Sequence, residues 1–346
     1  MVDAIFKLLL LFSPIAYSVG ISLNKFDLRF FEIGTIALYA ASLFDIPKRQ
    51  LGNIHIYIVL LLGLLIANSL MHKFQPLDIR AVECMFFGIL AFVITVVYLK
   101  DHASCYKYIF WALGINIAVL LFQHIGYSPM ISNVRIGHDI QCEGGMIGSI
   151  SLFGTYLALI MPYLPIIVMS ILALIFGLLV HHNQLCVFIP LTIAICLKAK
   201  NRLQRALLCV ACFATLCVFH GKIIDSILIR WKIWQPTLDM FFEKPLMGWG
   251  FGTYYLWVGS ESFSAYLPFI YGVGLLGLVW LGFLAKNFKN NFKPNKETLA
   301  VLSLACLGLI EYPFDIPRLW FTIIAVLAFY AIKQKELGNA GKVCGA

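Results

Sequence analysis

The chain has 346 residues, of which 61% are hydrophobic and 12% charged, and its mean hydropathy is +0.88. Soluble domains carry about twice that charged fraction, roughly a quarter of their residues, so a soluble globular enzyme, a disordered chain and a disulfide scaffold are excluded. The few charges are biased, with 26 Lys and Arg against 17 Asp and Glu, a net charge of +9.

Apolar runs fall near residues 4–21, 30–46, 54–71, 81–99, 106–126, 147–161, 163–180, 185–197, 206–220, 266–285, 299–312 and 316–332. A spanning helix needs about 20 apolar residues. In lipid the backbone must satisfy its own hydrogen bonds, so continuous runs predict helices and not the alternating strands of a barrel. The expected fold is therefore all-α: a polytopic integral membrane protein of about twelve transmembrane helices, read as one transmembrane domain over 1–346. The first run lacks a small-residue cleavage site and is followed by Asn24-Lys25, so it reads as an anchor and not a cleaved signal. The stretch 146–180 is too long for one helix, and Pro162 and Pro165 split it into a helical hairpin. The short run 185–197 implies tilt or local thinning of the bilayer.

Basic residues cluster in the cytoplasmic loops of membrane proteins. With the N-terminus inside, sixteen of the 26 fall in or near inside loops, among them Lys48, Arg49, Lys100, Lys198–Arg205, Lys286–Lys296, Lys333 and Lys335. This predicts an N-in, C-in orientation. Of the ten cysteines, Cys84, Cys186, Cys196, Cys209, Cys212, Cys217 and Cys306 lie inside apolar runs and read as small apolar fillers.

Residues 221–265 form the one long external loop. It reads Arg230-Trp231-Lys232-Ile233-Trp234-Gln235-Pro236, then Pro245-Leu246-Met247-Gly248-Trp249-Gly250-Phe251-Gly252. Pro236 followed by Leu238, Phe241 and Phe242 predicts a short amphipathic helix at the interface, starting at the proline. Two readings stand side by side. Arg230 and Lys232 before a helix start, with alternating glycines that admit close backbone approach, suit an anion. The same residues also suit a solvated interfacial loop with Trp in the aromatic belt. The external segment 133–145, with Arg135 and His138, is either a lip of that site or a polar turn. His181 and His182 point about 100° apart on a helix, which disfavours joint chelation of a metal. Glu311, Asp315 and Arg318 join the last two runs, as a local ion pair or as functional charges at membrane depth.

The order Arg230…Trp234…Pro245-Leu246-Met247-Gly248-Trp249-Gly250-Phe251-Gly252, then Tyr266-Leu267…Gly274-Leu275-Leu276-Gly277, resembles the O-antigen ligase/polymerase family of bacterial cell-envelope glycosyltransferases. Gly148–Ala158 upstream and Glu311-Tyr312-Pro313 downstream are similar to further family segments. The resemblance covers about 130–330. It implies an enzyme of the bacterial inner membrane, working at the periplasmic face. The donor would be a glycan on undecaprenyl pyrophosphate, and the acceptor another glycan or lipid A-core, with membrane lipids around and no nucleic acid. Because the pyrophosphate is the leaving group, no metal or other cofactor is implied. The donor-binding residues would be Arg135, Arg230, Lys232, Trp234, Gly248, Gly250 and Arg318. Glu261 would take the acceptor proton, with His138 and His181 as further candidates. The family's ligase branch carries a His-Asn pair where this chain has Phe263-Ser264, which favours a polymerase-type or divergent member. A twelve-helix transporter or flippase for an anionic lipid or sugar is the alternative, and a non-catalytic membrane scaffold a third.

Overall fold

The computed structural model describes residues 1–14, 20–23, 26–51, 54–72, 76–124, 150–165, 168, 224–225, 227–251, 253–254, 264–310 and 319–343. Apart from one hairpin, these residues are helical or form connecting turns.

Helix α1 (Val2–Phe12) stops where Pro14, lacking an N–H, cannot donate back to Leu10. Its 11 residues rise only about 16 Å. Strands β1 (Gly20–Leu23) and β2 (Phe26–Arg29) follow and pair antiparallel, with Gly20 opposite Arg29. The expected spanning helix over 4–21 is corrected accordingly. Gly20 and β-branched Ile21 continue a helix poorly. Then come α2 (Phe30–Ser42), α3 (Ile54–Met71) and α4 (Pro76–Tyr98), the last opening on a proline whose missing N–H costs nothing at a first turn. A 3-10 turn at Ala103–Cys105 leads into α5 (Tyr106–His124). Helix α6 (Ile150–Ile160) closes through a 3-10 turn at Met161–Tyr163, and Leu164 is extended, so the chain breaks at Pro162 as expected.

Residues 227–243 form the next helix, α7. Helices α8 (Tyr266–Val273) and α9 (Leu275–Asn290) replace the single run expected over 266–285. Gly274 separates them at φ +71°, a conformation that breaks helix continuity. Helices α10 (Lys296–Ile310) and α11 (Trp320–Val343) complete the described chain. Among the described residues two segments are long and apolar enough to cross a membrane, Ile54–Met71 and Ala103–Phe122. Phe30–Ser42, Val82–Tyr98 and Phe153–Tyr163 are shorter apolar helices. Large apolar side chains stand exposed on several helices, including Val59 and Leu70 of α3, Trp111 of α5 and Phe283 of α9.

The main core forms around α11, which packs against α1, α4, α6 and α10. Trp320 stacks on Phe31 with ring centroids 5.0 Å apart, and Phe321 lies beside the same ring. Small residues make room for these aromatics. A Cβ on Gly88 would come within 2.4 Å of the Trp320 ring, and one on Gly34 within 2.8 Å of Phe321. Of the cysteines in the described residues, Cys105 is buried, Cys84 and Cys306 are half-buried, and none of the three forms a disulfide.

One end of the bundle is stitched by a polar network. The Met1 ammonium reaches Asp45 at 2.7 Å. Arg49 donates to the carbonyls of Leu99 and Lys100 and pairs with Glu336. His102 lies 3.9 Å from Glu297 and 3.8 Å from Glu336. The Tyr106 hydroxyl donates to Glu297 Oε1 at 2.6 Å, and the Lys296 ammonium sits 3.8 Å above the Tyr106 ring. Arg49, Lys296 and Lys333, the last paired with Glu336 at 3.1 Å, all belong to the set that charge bias assigns to the inside. Helix α3 starts near this end, with Ile54 packed near Ala331, and carries the chain to the opposite end.

Candidate functional site

At the far end of α3 the segment 245–254 meets α3, α7 and α8. In α7, Arg230 and Thr237 are buried, Trp234 and Phe241 are half-buried, and Trp231, Lys232, Gln235, Asp239 and Phe242 are exposed. Positions 230, 234, 237 and 241 follow the helical repeat and share one face. Arg230 is 5% exposed and engaged with its surroundings. Lys232 lies about 200° around the helix from it, so the two cations do not form a pair. The expected helix start at Pro236 is also corrected. The helix already runs from 227, and Pro236 lies inside it, where its missing N–H leaves the Lys232 carbonyl without its helical donor. Neither Arg230 nor Lys232 therefore sits before a helix N-terminus.

Gly248 and Gly250 hold positive φ, +68° and +108°. The close approach these glycines allow is made to a second stretch of backbone. Gly248 N–H donates to the Lys244 carbonyl, Trp249 N–H to Tyr271, Gly250 N–H to Gly272, and Leu275 N–H to Pro245, at 2.7–3.1 Å. A Cβ on Gly248 would lie 2.3 Å from the Tyr271 carbonyl oxygen, and one on Gly274 2.5 Å from that of Leu246. The amides expected to cradle a phosphate are thus occupied within the protein. As phosphate donors, Gly248 and Gly250 are corrected to packing residues.

Asn68, fully buried near the end of α3, joins the two stretches. Its Nδ2 donates to the Met247 and Gly272 carbonyls at 2.7 and 2.9 Å, and its Oδ1 accepts from Phe251 N–H at 2.8 Å. With that last bond, the four consecutive amides from Gly248 to Phe251 all have partners. The same segment grips α7. Trp249 Nε1 donates to the Met240 carbonyl at 2.7 Å, and the hydroxyls of Tyr254 and Thr237 lie 2.9 Å apart. The Lys244 ammonium sits 3.7 Å over the Trp249 ring. Phe251 packs with Phe269, Leu61 and Leu65 in a small second core. Ser264 donates to the Gly308 carbonyl at 3.1 Å.

One turn beyond Asn68 is His72. Its Nε2 is buried and meets no partner among the described residues. Burial, with the Lys244 charge, holds its imidazole below the usual histidine range, against a hydrogen bond to the Met247 backbone. Among the described residues no group of three or more His, Cys, Asp or Glu could hold a metal ion.

Arg230 and Trp234 therefore share a face of α7 with Thr237, the helix is tied to the segment of Gly248 and Gly250 at Thr237 and Met240, and Lys232 faces away. Arg135, His138, His181, Glu261, Phe263 and Arg318 lie outside the described residues. Sequence reasoning missed Asn68, Thr237 and Tyr254. Asn68 was legible in principle as an amide in an otherwise apolar span, since polar side chains at such positions commonly bond a neighbouring element. It also missed Glu32, a carboxylate buried to 1% in the first turn of α2 and engaged there. No protein-family model matches the chain, and no curated protein matches it.

Proposed function

We propose that the protein is a multi-pass membrane glycosyltransferase of the bacterial inner membrane. It transfers glycan from undecaprenyl pyrophosphate at the periplasmic face, in a polymerase-type or ligase-type reaction of surface polysaccharide assembly. The observation that carries this reading is Arg230: a guanidinium buried on the inward face of α7, in a unit built from the arginine and glycine segments of the family-like motif. A buried cation of fork geometry suits the two charges of a pyrophosphate, whose negative charge grows as it leaves. The membrane part is supported by the two span-length apolar helices and the exposed apolar side chains on α3, α5 and α9. Orientation is supported by the inside-assigned Arg49, Lys296 and Lys333 meeting at one end while Lys244 sits by His72 at the other end of α3.

In this reaction the acceptor hydroxyl gives its proton to a base, with Glu261 first among the candidates and His138 and His181 after it. The acceptor oxygen attacks the anomeric carbon, the bond from that carbon to the pyrophosphate oxygen breaks, and undecaprenyl pyrophosphate leaves with the electron pair. Arg135 and Arg318 would add positive charge on the same face. Replacing Arg230 by Ala, or Glu261 by Ala, should abolish chain transfer in a strain lacking the wild-type copy, read as surface glycan length on a gel. Unchanged banding in both variants at normal expression overturns the reading.

A further inference from the structure

We propose that Asn68 is a positioning residue for Arg230, a role that rests on the proposed reaction only for its catalytic consequence. Asn68 belongs to α3, and Arg230 to α7, more than 150 residues later in the chain. The link between them is a short series of bonded groups. Asn68 uses both donors and its acceptor on three backbone groups, at Met247, Gly272 and Phe251, and is itself 0% exposed. From that fixed segment Trp249 reaches Met240, and Tyr254 reaches Thr237, two turns along from Arg230 on the same face of α7. One amide side chain thereby sets the segment, and the segment sets the helix that bears the arginine.

His72, one turn on, also bonds the Met247 backbone, but Asn68 spans Met247, Phe251 and Gly272 together. The glycine-to-glycine backbone bonds tie 245–251 to α8 but not to α3. The small apolar cluster of Leu61, Leu65 and Phe251 holds α3 near the segment without fixing its register. A buried amide that satisfies three partners at once has one orientation, because any rotation leaves a buried polar group unmade.

The test uses the full chain purified in detergent, as wild type, Asn68→Leu and Asn68→Asp. Amide hydrogen exchange is followed over 246–254 and 227–243, and transfer kinetics with a lipid-linked glycan donor. In Asn68→Leu, exchange should accelerate roughly tenfold in both stretches, the change expected when about 1.4 kcal/mol of local stability is lost. The donor KM should rise with the acceptor KM unchanged. Asn68→Asp is isosteric and keeps the acceptor for Phe251, so it should fall between the two. It decides the matter if Asn68→Leu does not fold.

Acceleration confined to 246–254, or absent from both stretches, overturns the proposal. So does a fall in kcat with both KM values unchanged, which marks mere loss of folded protein. If the wild type transfers no glycan, the functional reading fails, and the exchange result alone still decides the role of Asn68.

Discussion

The Tyr106 hydroxyl and the Glu297 carboxylate, 191 residues apart in the chain, are joined by a buried hydrogen bond of 2.6 Å. The contact ties the start of α5 to the start of α10, and it brings His102 beside the same carboxylate. Glu297 is 2% exposed, so water cannot replace a lost donor. Tyr106→Phe should therefore cost about 1.5–3 kcal/mol, the range for a hydrogen bond to a charged group. A drop in the melting temperature of the detergent-solubilised chain checks this, and an unchanged midpoint would show the bond to be dispensable.

Acid should loosen the same end. Burial holds His102 below the ordinary histidine value of 6.5, with Lys333 acting in the same direction and Glu336, Glu297 and Asp101 opposing. A folded-state value below the unfolded one means that the contribution is fully present above pH 6.5 and is lost as pH falls through the lower folded value. His72 has the same sign, from burial and Lys244. Melting temperature should fall between pH 7.5 and 5.5, and His102→Asn should flatten part of that slope.

The glycines divide into two groups with opposite expected responses to alanine. At Gly248 and Gly274 a Cβ would strike backbone at 2.3 and 2.5 Å, and φ is positive at both. A left-handed conformation costs an L-residue about 1–2 kcal/mol, and overpacking typically a further 1–3 kcal/mol. Gly63, in α3, and Gly114, in α5, have nothing within 4 Å of the new methyl. Alanine there should be neutral or stabilising by up to about 1 kcal/mol. Expression level and melting temperature of the four variants give the comparison.

If the proposed transfer reaction holds, the two cations of α7 should behave differently in it. Lys232→Ala removes an exposed charge on the outward face and should leave glycan length within twofold of wild type, since exposed single charges contribute little. Arg230→Lys keeps the charge but loses the fork, and should lower transfer at least tenfold. Full transfer in Arg230→Lys with loss in Lys232→Ala would show that charge matters and fork geometry does not.

The helical runs were legible because lipid-compatible apolar stretches leave their mark directly on composition. The break at Pro162 was legible for a local reason, the missing N–H. What escaped was mostly non-local. Asn68 looks like an interruption in an apolar run until Met247 and Gly272 stand opposite it. Gly248 and Gly250 fit a ligand loop equally well until a second glycine stretch, Gly272 and Gly274, fills the space they leave. Pro236 illustrates a local failure, since a proline inside a helix and one at a helix start differ only in what precedes them. Arg230 falls on the buried face of α7, and its reading together with Lys232 before a helix start dissolved once both were placed on one continuous helix.

The knot of Met1, Asp45, Arg49, His102, Glu297 and Glu336 has a mechanical consequence. A rocking cycle that opens each side in turn would have to pull Glu297 away from Tyr106 and His102 and hydrate it on every stroke, and then bury it again. The chain is fastened at this end like a clasp. Any opening of the bundle is left to the opposite end of α3, by Asn68 and Met247.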